Sequence, residues 1–200
     1  ADITSHLMEN FFSISGYSDT AEKMIVACLK SIMKNGVTAV YDPTNYDARA
    51  EVMMLSPWAI NGVTKVGRRG DWGSHALAHE VSGQWDAAHG AALAVIFPAW
   101  MKYVYKTNMP LFVKFAVNVF GIEQDFDNPE TTALAGIAAL EDYFHRIGLV
   151  TSLHELIKGE ITDEILHTMA KRVQYGSDGT AGTVYPLHEQ DSYEIFKLSI

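Results

Sequence analysis

Hydrophobic positions recur along this chain with a helical period almost throughout. Met24, Ile25, Cys28, Leu29, Ile32 and Met33 fall at i, i+1, i+4, i+5, i+8 and i+9, one broad helix face. Asn35-Gly36 then supplies a stop signal. A second helical stretch is expected from about Asn45 to Val66, kinked at Pro57, whose ring removes a backbone donor. Gly67-Arg68-Arg69-Gly70 breaks the pattern. A short helix is expected over His75–Val81 and a very apolar one over about Ala88–Lys106. Asn128-Pro129-Glu130 reads as the N-cap, first position and acidic first turn of a helix reaching about Ile147. Thr162 caps a further helix over Asp163–Gln174. The segment Tyr175–Tyr185, punctuated by Gly and Asp, is a loop. Period-two alternation is hard to find over more than four residues, so the expected fold class is all-α, with about eight to ten helices. No internal repeat and no dividing linker is visible.

Composition adds limits to this picture. A chain of 200 residues is one sizeable domain or two small ones, and 48% hydrophobic with 20% charged residues is ordinary for a globular protein. Fifteen Lys and Arg against 24 Asp and Glu give a net charge of −9, which argues against a phosphate-binding surface for nucleic acid or anionic lipid. The single cysteine, Cys28, excludes an intrachain disulfide framework and a Cys-based zinc site, and points to a reducing, cytoplasmic setting. No basic n-region precedes Asp2, so a secretory leader is not expected. The longest apolar run, Gly90–Met101, is too short to span a bilayer and reads as a buried helix.

Several chemistries lack their signatures: there is no G-x-G-x-x-G, no Walker A and no G-x-S-x-G. The glycines at 176, 179 and 182 follow a helix rather than a strand, which disfavours a phosphate cradle. The informative segment holds His75, His79 and His89, three of the eight histidines within fifteen residues. His75 and His79 share a helix face, and His89 opens the apolar helix just before Gly90. Imidazoles with a carboxylate suit divalent iron or zinc, although His-x3-His alone is weak evidence, and solvent-facing or core histidines are the plain alternative. An acid four residues before a histidine occurs at Asp2/His6, Asp71/His75, Glu141/His145 and Asp163/His167. Spacing does not choose among them, and such pairs are mostly ordinary helix-surface partners.

The run GDWGSHALAHEVSGQWDAAHGAALAVIFPAWM, Gly70–Met101, resembles the signature of the iron-containing (group III) alcohol dehydrogenases, in their butanol dehydrogenase-like branch. The resemblance extends over essentially the whole chain, including Asn61-Gly62 and Gly67–Asp71. It implies a multi-helix bundle like the C-terminal α domain of the dehydroquinate synthase-like fold. That family sets two metal histidines fourteen residues apart, as His75 and His89 are. It adds an Asp and a His at D-x3-H followed by an acid, a pattern that DITSHLME, Asp2–Glu9, matches. The implied ligands are therefore Asp2, His6, His75 and His89, holding Fe2+ with Zn2+ as the alternative. His79 matches a family histidine close to the metal but not counted as a ligand, and is the implied catalytic proton relay. Ala78 stands where many relatives carry an acid, which alters the surroundings of His79. The implied reaction is hydride transfer between NAD(P)H and an aldehyde or primary alcohol. Family members run to about twice this length and begin with a Rossmann-like domain. On that basis residues 1–200 are a single helical metal-binding domain, and the N-terminal dinucleotide-binding domain is absent from this chain. NAD(P)H is expected only with that domain. The alternative function is an isolated metal-binding domain without catalytic activity of its own. The implied partner is a small alcohol or aldehyde, with a homodimer allowed and neither nucleic acid nor membrane expected.

Cys28 is expected in the core. Trp72, Trp85, Trp100 and the Met53-Met54 pair could line a pocket, with apolar core the favoured role. Arg68 and Arg69 are expected to cap or flank a helix end, and Glu123, Asp125 and Asp127 to form a solvated loop. His145, His154, His167 and His188 lack convergent partners and are read as structural.

Overall fold

The apolar run near the middle of the chain becomes the axis around which the other helices assemble. The computed structural model describes residues 1–200 and contains ten α-helices and no strand. These are α1 (Asp2–Phe11), α2 (Asp19–Tyr41), α3 (Tyr46–Ile60), α4 (Gly73–Trp85), α5 (His89–Val104), α6 (Met109–Phe115), α7 (Pro129–Arg146), α8 (Leu153–Leu156), α9 (Asp163–Arg172) and α10 (Glu189–Leu198). Every residue of α5 from Ala92 to Met101 is buried. A helix apolar on all sides must be covered on all sides, and α1, α4, α7, α8 and α10 pack around it. Helices α2 and α3 lean on α1, α6 leans on α7, and α9 bridges α4 and α10. The all-α expectation thus holds for the chain.

The C-terminal end of α1 is anchored by aromatic rings. Phe12 sits 4.9 Å from Phe112, 5.1 Å from Phe115 and 5.5 Å from Trp100 between ring centroids. Tilted and edge-on contacts of this kind add to plain area burial. Arg68 donates to the Phe11 carbonyl at 3.0 Å and pairs with Glu22 at 3.2 Å, so it does cap a helix end. Helix starts follow sequence chemistry closely. Asn45 accepts from the Ala48 N–H at 3.0 Å, and Thr162 accepts from the Ile165 N–H at 3.2 Å.

Four expectations are corrected. Helix α2 runs straight through Asn35-Gly36 to Tyr41. Asn35 donates back to the Ser31 carbonyl at 3.0 Å, and a Cβ on Gly36 would stand 3.3 Å from Tyr143 Oη, so this glycine provides a close approach rather than a stop. The stretch from Asn45 ends at Ile60 instead of Val66, because Gly62 turns left-handed at φ +94° and starts a short 3₁₀ turn over Val63–Lys65. The apolar helix ends at Val104 and passes into a 3₁₀ turn over Tyr105–Asn108. Finally, Met53 and Met54 are exposed on α3 rather than placed in the core. Cys28 and Trp100 are core residues as expected.

Two helical glycines separate packing from propensity. A Cβ on Gly136 of α7 would fall 2.6 Å from Ala116 Cβ and 3.0 Å from its Cα, whereas one on Gly83 of α4 meets nothing within 4 Å. Gly136→Ala is expected to destabilise the chain by about 1–3 kcal/mol through overpacking. Gly83→Ala is expected to stabilise it by about 0.5–1 kcal/mol. Chemical unfolding of the two variants checks both signs.

Candidate metal centre

Three chain segments converge at the open end of α1. Asp2, His6 and Glu9 occupy positions i, i+4 and i+7, one face of that helix. Asp2 reaches solvent, His6 is half-buried, and Glu9 is fully buried. Helix α4 starts next to them. Its preceding residue, Trp72, takes a left-handed backbone at φ +68°, and His75 follows one turn later, 5% exposed. Asp86 ends α4 in a second left-handed turn at φ +53°. The chain then needs only two more residues before His89 begins α5. That tight reversal brings His89 back against His79, with rings stacked 4.9 Å apart.

Ring centroids of His6 and His75 lie 4.7 Å apart, and those of His75 and His89 5.4 Å apart. Asp2 Oδ1 stands 3.7 Å from His6 Nε2 and 3.7 Å from His89 Nε2. One donor atom each from Asp2, His6 and His75 falls within 4.8 Å of the other two. His89 reaches the same carboxylate but stands outside that tightest triple. These separations are longer than hydrogen bonds. They approach the spacing of ligands that each lie about 2.0–2.2 Å from one ion.

The hydrogen bonding of the rings is incomplete in an informative way. Glu9 Oε1 accepts from His75 Nδ1 at 2.8 Å, while His75 Nε2 is buried without a partner. His6 Nδ1 and His89 Nδ1 are also buried and unpartnered. A buried polar atom left unpaired costs about 1–3 kcal/mol, so the orphaned His75 Nε2 marks a place that a cation fits, while the His6 and His89 orphans are the ring nitrogens other than the Nε2 atoms nearest Asp2. Burial, reinforced by the charge of His75, holds the His6 pKa below the ordinary histidine value, against the pull of Asp2 and Glu9. Burial also lowers His89, against Asp2 and together with the neighbouring histidines. Both rings are thus biased to the neutral form that binds metals.

Around the donors, His6, Trp72, His75, His79 and His89 line a pocket of about 370 Å³, with Gln174 at its rim. The Trp72 ring lies 5.4 Å from His6 and 5.1 Å from His75. Trp72 is therefore pocket wall and not core, which corrects the expectation for that residue. Beneath α4, Asp71 accepts from the N–H groups of Gly73 at 3.0 Å, Thr183 at 2.7 Å and Val184 at 2.6 Å. It ties the 182–184 loop to the start of the histidine helix.

Of the four acid–histidine pairs, only Asp2/His6 enters the pocket. Asp71 turns to the loop, Glu141 pairs with Lys102 at 2.6 Å, and Asp163 lies 3.6 Å from a His167 ring stacked on Tyr193. His145 meets Thr151 at 3.0 Å, and Asp125 caps the turn before α7 through the Asn128 N–H at 2.8 Å. Sequence reasoning missed Glu9 as a contact of His75 and Gln174 as lining, and raised Trp72 as lining only behind apolar core. The available signal was Glu9 three residues after His6, on the helix face that Asp2 and His6 also occupy.

A family model described as Fe-containing alcohol dehydrogenase family, C-terminal, matches residues 1–200. NADH-dependent butanol dehydrogenase A of Clostridium acetobutylicum is 35% identical over 200 residues, covering 100% of this chain and 50% of that protein. Probable NADH-dependent butanol dehydrogenase 1 of Bacillus subtilis is 30% identical, again over 100% of this chain and 50% of its own length. The crystal structure of NADH-dependent butanol dehydrogenase A from Thermotoga maritima superposes with a TM-score of 0.88 at 33% identity, covering 99% of this chain and 50% of that one. The chain thus spans about half the length of the relatives it matches.

Burial first, and the Glu9 charge second, push Asp71 up to about 7, against its three N–H donors. The unfolded carboxyl titrates near its ordinary value of about 3.9. Between about pH 4 and 7 the folded chain therefore keeps a proton that the unfolded chain has released, and this contribution to stability falls as pH rises. Asp71→Asn has no such proton to lose. Its amide also faces N–H donors, so it is expected to be less stable overall but flatter in melting temperature across that window. A wild-type-minus-variant difference that stays constant from pH 4 to 7 contradicts the assignment.

Proposed function

The chain belongs to the Fe-containing alcohol dehydrogenase family, whose C-terminal domain it matches end to end, and on that premise we propose that it is the metal-binding half of an NAD(P)H-linked alcohol dehydrogenase or aldehyde reductase. The observation that carries this reading is the convergence of Asp2, His6, His75 and His89 on one pocket, with His75 Nε2 buried and unpartnered. Those four residues would hold Fe2+, with Zn2+ as the alternative; a carboxylate with imidazoles suits either ion. Bound there, the ion supplies Lewis acidity toward a carbonyl or alcohol oxygen.

The chain's own residues do the rest. Asp2 brings a carboxylate to the cluster of imidazoles and would offset the charge of the cation. Trp72 and Ala76 present an apolar wall to a small alcohol or aldehyde. His79, exposed and stacked on His89, lies where it can pass a proton between the pocket and water. The nicotinamide is the part these residues do not orient. Among residues 1–200 there is no strand, hence no strand–glycine turn–helix to receive a dinucleotide pyrophosphate. The N-terminal dinucleotide domain expected for this family would supply that wall of the cleft. A second reading, a metal-binding domain without turnover of its own, is favoured for the 200 residues by themselves on the same ground.

Elemental analysis after anaerobic loading tests the metal. One divalent ion per chain is expected for the wild type, and much less for His75→Ala. Stoichiometric metal retained by a His75→Ala/His89→Ala double variant sinks the assignment.

Activity separates the two readings. The 200-residue chain is expected to show negligible NAD(P)H-linked turnover, since orientation of the reactants supplies many orders of magnitude in rate. In a protein of the relatives' full length, His79→Ala is expected to keep its metal and lose about 10²–10⁴-fold in turnover. Metal loss equal to that of His75→Ala would make His79 a ligand instead.

A further inference from the structure

We propose that Glu9 is a positioning residue that presets the pocket: one carboxylate oxygen fixes the His75 ring for a divalent ion, and the other fixes the Trp72 wall. This deepens the metal reading above and rests on it.

The geometry is specific to each oxygen. Glu9 Oε1 accepts from Ser74 Oγ at 2.6 Å, from the His75 N–H at 3.3 Å and from His75 Nδ1 at 2.8 Å. Glu9 Oε2 accepts from the Trp72 N–H at 2.5 Å. All four partners are donors at the start of α4, and Glu9 is wholly shielded from water. A neutral imidazole offers one nitrogen as donor and the other as acceptor, and the bond made by the first decides the role of the second. With Nδ1–H committed to Glu9, the lone pair of His75 lies on Nε2, the buried atom that has no partner in the protein. Groups that orient a metal-binding histidine in this way commonly change affinity by about 10–100-fold when removed.

The second arm answers a backbone problem. A bulky residue at positive φ is an outlier that persists only where its surroundings hold it. Trp72 sits at φ +68°, and its N–H is held by Glu9. That conformation places the indole beside both His6 and His75. One buried side chain thus determines a ring tautomer and the position of the pocket wall.

The two arms come apart under substitution. Glu9→Gln keeps a carbonyl oxygen for His75 Nδ1–H, but its amide group then faces the Trp72 N–H. Glu9→Ala removes both. The test titrates the metal-free 200-residue chain with Co2+ as the probe, and records histidine nitrogen NMR before metal is added and circular dichroism for folding. Glu9→Ala is expected to weaken Co2+ binding about 10–100-fold and to release the His75 ring from its Nδ1–H form. Glu9→Gln is expected to weaken it by a smaller factor, at least about threefold, with the Nδ1–H form retained. A folded Glu9→Gln that binds Co2+ within about threefold of wild type overturns the proposal, whether or not Glu9→Ala folds. So does a folded Glu9→Ala with an unchanged His75 tautomer. Wild-type binding that His75→Ala leaves intact overturns the metal reading as well, and so distinguishes that failure from a failure of the Glu9 assignment alone.

Discussion

Burying a carboxylate in a helix interface is tolerable only where donors replace the water it loses. At Glu9 those donors all come from one place, the first turn of α4 and the residue before it. The free N–H groups of a helix start attract an anion, so the acid on α1 and the opening of α4 satisfy each other. The Asp71 N–H donates to the Glu9 carbonyl at 3.0 Å, adding a main-chain link to the side-chain one. Asp71 in turn holds the 182–184 loop through its own carboxylate. Two neighbouring buried acids thereby join three parts of the chain that are far apart in sequence.

The same helix is anchored by opposite chemistry at its two ends. Toward its C-terminus, Phe11 and Phe12 enter an aromatic cluster with Trp100 and Phe112, on and beside the central helix. Toward its N-terminus, His6 lines the pocket and Asp2 stands within reach of the His6 and His75 donor atoms. The apolar anchor sets the height of α1 against α5, and the Glu9 contacts set its rotation against α4. Donor atoms from three helices can then meet without any of them lying on a long loop, which favours precise geometry in a functional site.

What the pocket offers chemically follows from that assembly. His6 and His89 are biased to the neutral form by burial. The nearby carboxylate of Asp2 is exposed and the buried one of Glu9 is already engaged by donors. The first is free to face a cation, and the second orients. Trp72 and Ala76 form the apolar part of a pocket otherwise lined by His6, His75, His79, His89 and Gln174.

Much of this was legible in the residue pattern. The helical period, the caps Asn45 and Thr162, the apolar run that became α5 and the histidines at 75, 79 and 89 are local facts, determined by side chains within a turn or two of each other. Helix ends were less legible where a contact from elsewhere overrode a local signal, as Tyr143 does at Gly36. Choosing Asp2/His6 over three equally spaced pairs lay beyond spacing, and so did the partnership of Glu9 with His75, 66 residues away. Local preference decides which segments are helices. Only their packing around α5 decides which buried polar atoms end up facing one another, because the cost of an unpaired buried group is set by its neighbours in space and not by those along the chain.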